Sequence, residues 1–485
     1  MSEDQYHLPL YEALSQYASR SSVRLHMPGH KGGAGFPEPL RTDWLSFTSL
    51  DVTEIADSDD LYNPQGPLQL SQNLLRDLYQ AKQSFYLING ASVGLMAALW
   101  AMASGSQTKK RRVLLPHHAH RSLWHGCIIA DLWPERLPAS FDSNTGLPLP
   151  SSLAELNDCL ENYDDLCGVV LLNPNYYGLG IDLDEQIDLI HQFDLPVCVD
   201  EAHGTHLRFL PHRKDALMSG ADIVVQSPHK TAISLTQTAW MHVNQDDLKG
   251  KVFDALKLLH SSSPSFPLMV SLEMARQQLA LKGVSDWERV VTERKALVSN
   301  LQNIPGLSII DATSCGLLTA YQDPAKLFVN VNELGLTGYQ AAEELRKLGI
   351  SSEMADGQGV LWFLTPSDVE HDYERIFKAC QILSATKRKE KTIGSMTKII
   401  NYPTTTRLIS PREAWLKETQ EVELTQAIGR ISATMLTPYP PGVPLLSPGE
   451  LLTEEIINYL RELIDEGANV TGFSSGSTSI KVVSN

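Results

Sequence analysis

Residues 197–230 contain two short apolar runs, VCV and IVV, and each is followed closely by polar side chains. These side chains are Asp200 and His203 after the first run, and Ser227, His229 and Lys230 after the second. The intervening HRKDALMSG predicts a short helix ending at Gly220, because glycine is favoured just after helix C-termini. In a strand–helix–strand unit the strands are parallel, so both polar ends are expected at one edge of a sheet.

The pairing of Lys230 with Asp200 suggests a particular cofactor at that edge, where open α/β sheets bind their ligands. A lysine and an aspartate facing one ligand suggest pyridoxal 5′-phosphate (PLP): the lysine forms the Schiff base, and the carboxylate holds a proton on the pyridine nitrogen. The alternatives are a solvated lysine at a strand end and an aspartate that caps a helix. Placing acids directly after a buried strand is costly, however, and a ligand would offset that cost.

The neighbours of these two residues are assigned more loosely. Ser227 and His229 are expected near the phosphate group, and His203 is expected beside the substrate or behind the residues that touch it. Glu201 is predicted to point outward.

A second phosphate contact is predicted at NGASVGLMAAL, which follows the strand candidate SFYLI. The turn enters a helix, whose first backbone amides and dipole favour an anion. The backbone amides of Ala91, Ser92 and Val93 and the hydroxyl of Ser92 are the expected donors. The alternative is an ordinary core helix with a polar cap.

The segment RVLLPHHAHRSLWHG carries four histidines after another strand candidate. Clustered imidazoles suit zinc, but the segment has no HExxH context and no evident third ligand. We therefore predict no metal, and we expect the His120 ring to stack on the pyridine face.

Composition narrows the class of protein. The 485 residues include 40 basic and 57 acidic side chains, a net charge of −17, which argues against nucleic acid and anionic membranes as partners. Six cysteines without a CxxC pair, and an N-terminus without a secretion signal, predict a cytoplasmic protein. The uncharged stretch between Lys82 and Lys109 is interrupted by Asn, Gly and Ser, so we expect a strand and a buried helix there and no membrane span.

Apolar runs alternate with helical patterns over most of the chain, which predicts an α/β fold. The strand candidates are SFYLI, RVLLP, GVVLLNP, VCVDE and DIVVQS, followed later by LSII, LFVNV and VLWFL. Long and short helices are expected near 268–302 and 338–348, and a basic linker at 387–398. The predicted division is an N-terminal arm (1–50), a PLP-binding large domain (51–267), a linking helix with a small α/β domain (268–390), and a C-terminal domain (391–485).

An ordered set of motifs resembles the bacterial ornithine/lysine/arginine decarboxylase family. The motifs are HMPGHKGG, DVTEIADSDDLYNPQGPL, NGASVG, PHHAHRSLWHG, DEAHG, SPHK and YPPGVPLLSPGE. The resemblance implies a PLP-dependent, aspartate-aminotransferase-like (fold type I) large domain with a mixed, mostly parallel sheet, plus smaller α/β C-terminal lobes. It also implies a homodimer or higher homo-oligomer with the active site near the dimer interface. The N-terminal wing domain of the large inducible members is not expected here.

The same resemblance implies roles for individual residues. Lys230 would be the Schiff-base lysine, Asp200 the pyridinium partner and His120 the stacking group, with Ser92, Ser227 and His229 near the phosphate. The implied activity is decarboxylation of a basic amino acid in polyamine biosynthesis.

The substrate is predicted less sharply than the cofactor. Transaminases of this fold carry an arginine on a small-domain strand, whereas GVLWFLTPSD has none, which favours a decarboxylase, although Arg276 or Arg346 remains an alternative clamp. The positively charged side chain of the substrate needs acidic partners, and the candidates are Asp51, Glu54, Asp60 and Glu450. The alternative is that the acids between 51 and 60 belong to a solvated loop. Arginine to agmatine is favoured over lysine to cadaverine and ornithine to putrescine. Another fold-type-I activity (aminotransferase or lyase) and a catalytically silent polyamine-binding relative remain alternatives.

Overall fold

The computed structural model describes residues 3–20, 23–105, 111–138, 140–142, 145–315, 320–386, 403–439, 442–465, 467–474 and 478–484. The predicted linker at 387–398 lies outside the described residues. The helices are α1 (Pro9–Ser19), α2 (Leu40–Ser49), α3 (Pro67–Tyr79), α4 (Gly90–Gly105), α5 (Arg121–Ala130), α6 (Leu153–Asn162), α7 (Asp184–Gln192), α8 (Pro228–Thr231), α9 (Asp246–Leu259), α10 (Phe266–Leu301), α11 (Gly338–Lys347), α12 (Glu370–Ala385), α13 (Pro411–Leu416) and α14 (Glu454–Asp465).

Short 3-10 helices lie at Glu3–Tyr6, Leu207–Phe209, Asn332–Leu334 and Leu424–Gln426. The strands are β1 (Gln83–Leu87), β2 (Arg112–Leu115), β3 (Trp133–Arg136), β4 (Ser140–Phe141), β5 (Pro148–Leu149), β6 (Leu166–Leu172), β7 (Leu179–Ile181), β8 (Val197–Asp200), β9 (Ile223–Gln226), β10 (Ala239–Val243), β11 (Ser308–Ile310), β12 (Ala320–Gln322), β13 (Lys326–Asn330), β14 (Met354–Ala355), β15 (Gly359–Phe363), β16 (Thr419–Glu423), β17 (Thr437–Tyr439), β18 (Asn469–Thr471) and β19 (Ser479–Val483).

Seven strands form one sheet in the order β1-β10-β9-β8-β6-β2-β3. Strand β10 is antiparallel to both β1 and β9, while β8 runs parallel to β9 and β2 runs parallel to β3 and β6. The five strand candidates of the large domain all form strands of this sheet, and the sheet is mixed and mostly parallel, as predicted. The two apolar runs within residues 197–230 form β8 and β9, which are neighbouring parallel strands with Asp200 opposite Val225.

The connection between β8 and β9 differs from the prediction. HRKDALMSG forms turns and no helix, although Gly220 does adopt the expected left-handed conformation, with φ of +96°. Buried carboxylates accept the backbone N–H groups that helical carbonyls would otherwise take: Glu201 accepts from Ala216, and Asp215 accepts from Met218. The bond between Met218 and Asp215 is a local alternative that competes with helix formation. The bond to Ala216 comes from Glu201, which lies outside the predicted segment.

The chain divides into two compact units, each built from two segments. The first comprises Met1–Gly105 and Val197–Glu288, and the second comprises Ser106–Pro196 and Arg289–Asn485. The division into four domains expected from the sequence remains a prediction.

The second unit contains a four-stranded antiparallel sheet, β11-β13-β15-β14, covered by α11. The predicted strands LSII, LFVNV and VLWFL and the helix near 338–348 are confirmed here. Its C-terminal part has its own core, in which Ile456 and Leu460 of α14 pack with Leu436 and Leu446.

Residues 83–105 of the uncharged stretch lie in the first unit and form β1 and the buried helix α4, as expected. Helix α4 lies very close to the sheet: a Cβ atom on Gly94 would be 2.6 Å from Leu87 Cδ1 and 3.0 Å from Val225 Cγ1. Among the described residues, no helix has the length and apolar character needed to cross a membrane.

Candidate active site

Lys230 lies in the single turn of α8, directly after β9, and its Nζ is 2.9 Å from Nε2 of His203. His203 follows β8 and is 6% exposed. Because β8 and β9 are parallel neighbours, their carboxyl ends lie at one edge of the sheet, and the contact between Lys230 and His203 forms there.

Asp200 is the last residue of β8 and is 3% exposed. Burial raises the pKa of its carboxyl, while the positive charge of Lys230 and the backbone N–H of Ala202 counteract that effect. The N–H of Ala202 donates to Oδ1 over 3.1 Å. The structure thus brings Asp200, His203 and Lys230 into one group.

Glu201 corrects one expectation, because it is fully buried and does not point outward. Its Oε1 accepts from the Ala216 N–H over 2.8 Å, and its Oε2 accepts from Gln226 Nε2 over 2.7 Å. Burial and the nearby Asp215 raise its pKa well above the usual range. Glu201 therefore ties the end of β8 to the end of β9, and period-two alternation along so short a strand could not reveal this.

The turn before α4 is held from two sides. Asn89 Oδ1 accepts from the Ser261 N–H over 3.1 Å, and Gln237 Nε2 donates to the Ile88 carbonyl over 2.9 Å. Gly90 has φ of +78°, a conformation that favours glycine. Ala91, Ser92 and Val93 occupy the first turn of α4, where backbone N–H groups have no partner inside the helix.

Ser227 and His229 flank the start of α8. Ser227 is 1% exposed. His229 Nδ1 lies 2.7 Å from the Thr238 carbonyl, and because a carbonyl only accepts, Nδ1 carries the proton. Burial lowers the pKa of His229, so its ring is neutral, with Nε2 as an acceptor. Donation from Nε2 to a phosphate would require a second proton on this ring.

The acids predicted to bind the substrate have different surroundings. Asp51 Oδ2 is 2.9 Å from His30 Nε2, and Glu54 accepts from the Thr53 hydroxyl over 2.9 Å. Glu54 and Asp60 both act by charge on Tyr62, whose pKa is raised by burial and by these two acids. These three carboxylates remain candidates for the distal cation.

Glu450 belongs to the second unit and is 2% exposed. Arg407 Nη2 donates to Oε1 over 3.0 Å, Arg136 Nη2 lies 3.4 Å from Oε2, and the Ser447 N–H donates to Oε2 over 2.6 Å. Burial raises its pKa, but the two guanidinium groups outweigh that effect and the pKa is lowered. Both oxygens have protein partners, so Glu450 is the weakest of the four substrate candidates, and its role stays a prediction.

His120 also belongs to the second unit, where it caps the N-terminus of α5. Its Nδ1 accepts from the Ser122 N–H over 3.3 Å, and its ring is exposed. Stacking on a pyridine ring remains a prediction. The adjacent His117 and His118 are neutral, because burial lowers their pKa values to about 2 and about 4. No group of three or more metal-binding side chains occurs among the described residues.

Two arginines considered as carboxylate clamps have other partners. Arg276 is fully buried, and its guanidinium donates to the backbone carbonyls of Gln5 and His7. Arg346 pairs with Glu343 on the exposed face of α11. Neither arrangement provides a clamp.

The first unit has the chemical groups that PLP requires. The Lys230 amine suits the aldehyde, the buried Asp200 carboxylate suits the pyridine nitrogen, and the first turn of α4 with Ser227 offers donors for the phosphate. The residues present therefore fit this cofactor.

Comparison with known proteins gives consistent results. Sequence models for the Orn/Lys/Arg decarboxylase major domain and C-terminal domain match residues 8–372 and 393–482. The arginine decarboxylase of Bacillus subtilis is 32% identical over 475 residues, covering 96% of each chain. The constitutive lysine decarboxylase of Escherichia coli is 24% identical, covering 96% of this chain and 79% of that protein.

Solved structures show the same fold. The E. coli constitutive lysine decarboxylase superposes with a TM-score of 0.81 at 18% identity, covering 99% of this chain and 82% of that chain. A serine palmitoyltransferase with PLP superposes with a TM-score of 0.53 at 16% identity, covering 78% and 84% of the two chains. The predicted fold class is confirmed.

Proposed function

The chain belongs to the Orn/Lys/Arg decarboxylase family, and from that premise we propose that it converts L-arginine to agmatine and CO2. It is a PLP-dependent decarboxylase of basic amino acids, as the sequence predicted. The preference for arginine is the part that experiment must decide.

Sequence identity supports arginine. The chain is 32% identical to the B. subtilis arginine decarboxylase and 24% identical to the E. coli lysine decarboxylase. Both chains of the first pair are covered to 96%, so the similarity extends through the C-terminal domain. Lysine to cadaverine and ornithine to putrescine are the alternatives.

The residues of the first unit have separable tasks. PLP, when bound, withdraws the electrons of the bond between Cα and the carboxylate. Lys230 would hold the cofactor covalently, and Asp200 would keep a proton on its ring nitrogen. The amides of Ala91, Ser92 and Val93, with Ser227, would hold its phosphate.

The chain lacks one arginine that transaminases of this fold carry on a small-domain strand. Strand β15 contains no arginine, and Arg276 and Arg346 have partners elsewhere. A strong clamp would stabilise a charge that must disappear in the transition state. The lack of an arginine on β15 thus supports decarboxylation over transamination, which keeps that carboxylate.

Product analysis tests the substrate directly. The purified holoenzyme is incubated with equal arginine, lysine and ornithine, and amines, keto acids and CO2 are measured. We expect agmatine and CO2 in equal amounts and in excess over cadaverine and putrescine. A dominant keto acid would contradict decarboxylation, and dominant cadaverine or putrescine would replace arginine as the substrate.

Replacing Lys230 tests its assignment. Lys230→Ala should abolish turnover, because the amine that attaches the cofactor is lost. Borohydride treatment followed by mass spectrometry should find the cofactor on Lys230 in the wild-type chain and on no lysine in the variant. Retained turnover would contradict the assignment, and circular dichroism provides the control for folding.

We further propose that the protein is a cytoplasmic homodimer. Helix α2 has ten residues, of which Thr48 alone is buried, while Trp44 and Leu45 are each 52% exposed. A helix this short is marginal in water without a packing partner, and a second copy would provide one by two-fold symmetry. All six cysteines are free thiols, which supports a reducing compartment.

A further inference from the structure

The contact between Lys230 and His203 determines where one proton can lie. Nζ and Nε2 are 2.9 Å apart, a hydrogen-bonding distance. An ammonium carries three donors and no acceptor. While Lys230 is charged, Nε2 of His203 must therefore be an unprotonated acceptor, and the ring proton lies on Nδ1.

In the cofactor-free protein, the charge next to Lys230 favours its ammonium form. The carboxylate of Asp200 acts on Lys230 by charge and favours the ammonium. His229 also interacts with Lys230 by charge, and its lowered pKa keeps its ring neutral, so it adds no opposing charge. An ammonium has no lone pair, so Lys230 must lose a proton before it can attack a carbonyl carbon.

His203 is placed to receive that proton. Its ring is only 6% exposed, so bulk water has little access to this nitrogen. A general base must lie within about 2.6–3.2 Å of the group that it deprotonates, which this pair satisfies.

We propose that His203 is the proton acceptor of Lys230. One N–H bond breaks at Nζ and one forms at Nε2, which leaves a neutral amine and an imidazolium, and the proton returns when the ammonium re-forms. The inference rests on Lys230 as the cofactor lysine. His203 acts on the Nζ atom of Lys230 and not on the substrate, so its proposed role is proton transfer at the cofactor lysine.

The test is the rate of cofactor attachment and not turnover. Cofactor-free protein is mixed with saturating PLP, and the limiting rate of covalent attachment is followed by absorbance from pH 6 to 9 as an approximate range around the usual histidine pKa of about 6.5. Borohydride trapping and mass spectrometry identify the lysine. The variants are His203→Gln, whose amide accepts a hydrogen bond but does not take up a proton, and His203→Ala, with and without added imidazole.

His206→Phe is the matched control. His206 lies three residues further along, is fully buried and stacks on Trp287 with ring centroids 3.9 Å apart. We expect both His203 variants to attach PLP about 10²-fold more slowly, imidazole to restore the rate in His203→Ala, and His206→Phe to match the wild type.

The results that would contradict the role of His203 differ from the result that would contradict the assignment of Lys230. Wild-type rates in both His203 variants, or in His203→Gln alone, would overturn the proposal, since placement of the amine would then suffice. Slow attachment without imidazole rescue would also overturn it. If borohydride traps PLP on a different lysine in the wild-type chain, the assignment of Lys230 under the proposed function fails instead, whatever the His203 variants do.

Discussion

Asp200 and Glu201 are adjacent in the chain and both are buried, but their partners differ. Asp200 interacts electrostatically with Lys230. Glu201 instead accepts hydrogen bonds from Ala216 and Gln226 and so connects the ends of β8 and β9. One carboxylate is thus available to a ligand, and its neighbour maintains the geometry. Residue type alone does not distinguish the two.

Asp200→Asn should lower activity and raise the stability of the cofactor-free protein. Burial raises the folded pKa of Asp200 above its ordinary 3.8, so its stabilising contribution is present below that pH and is lost as pH rises through the folded pKa. The amide avoids this loss at neutral pH. Urea unfolding of cofactor-free protein at pH 7 should show the gain, and it should vanish below pH 3.8.

The activity of the same variant should fall by about 10²-fold or more, because a neutral pyridine is a weaker electron sink and such electrostatic contributions are large. Initial rates of CO2 release measure this. Near-wild-type rates would mean that another group protonates the ring.

Glu450→Gln should destabilise the protein by about 3–5 kcal/mol, the cost of leaving a buried charge without its partner. Arg136 and Arg407 would both lose their carboxylate. Urea unfolding tests this, with Asp51→Asn as the control at a half-buried acid. A stable variant with a raised KM for arginine would instead support the predicted substrate role of Glu450.

The difference in unfolding free energy between wild type and Glu450→Gln should depend on pH in one direction only. The folded pKa of Glu450 is lowered, so its contribution is present above its ordinary 4.5 and is lost as pH falls through the folded value. The gap in unfolding free energy between wild type and Glu450→Gln should therefore shrink as pH falls below 4.5. A gap that widens in acid would contradict the ion-pair account.

At the scale of elements, α4 shows how packing positions a helix terminus. Gly94 lets α4 approach β1 and β9 so closely that a Cβ atom would meet Leu87 at 2.6 Å. This approach also places the first turn of α4, whose N–H groups have no partner inside the helix, next to the end of the sheet. Gly250 in α9 is the contrasting case, because a Cβ atom added there would have no neighbouring atom within 4 Å.

Gly94→Ala and Gly250→Ala should therefore have opposite effects. We expect Gly94→Ala to lose about 1–3 kcal/mol through overpacking, and Gly250→Ala to gain up to about 1 kcal/mol from helix propensity. Urea unfolding measures both. PLP affinity should fall only in Gly94→Ala, and equal effects at the two sites would contradict the packing argument.

At the scale of the whole molecule, exposed apolar side chains concentrate in the N-terminal arm. Val23, Leu25 and Met27 precede α2, and each is more than two-thirds exposed. Together with the exposed Trp44 and Leu45 of α2, they are the side chains that we propose a second copy covers. The net charge of −17 opposes non-specific association, so a specific interface is the better explanation.

If the protein is the proposed dimer, Trp44→Asp combined with Leu45→Asp should convert it to a monomer, because each chain would then bury two charges in an apolar interface. Analytical ultracentrifugation measures the mass. The control is Leu258→Asp on α9, which is also exposed, at 62%, but lies outside the arm. A monomeric wild type, or a variant that still dimerises, would contradict the assignment of this surface.

The sequence predicted eight of the strands, the polar residues after β8 and β9 and the cofactor, because these follow from short-range patterns; it did not predict β3 and β10 of the main sheet. Short apolar runs, a glycine at a left-handed turn and a polar side chain after a strand are all local features. The order of the motifs in turn predicted the family.

Only the tertiary structure decided which side chains are partners. It buried Glu201, replaced the expected helix of 212–220 with turns, paired Glu450 with two arginines and placed His203 against Lys230. These contacts join segments that are distant in the chain, and their energies depend on burial and on the nearest charge. A local sequence pattern contains neither the burial of a side chain nor the identity of its nearest charge. The cofactor chemistry could therefore be predicted from the sequence, but the contacts that support it could not.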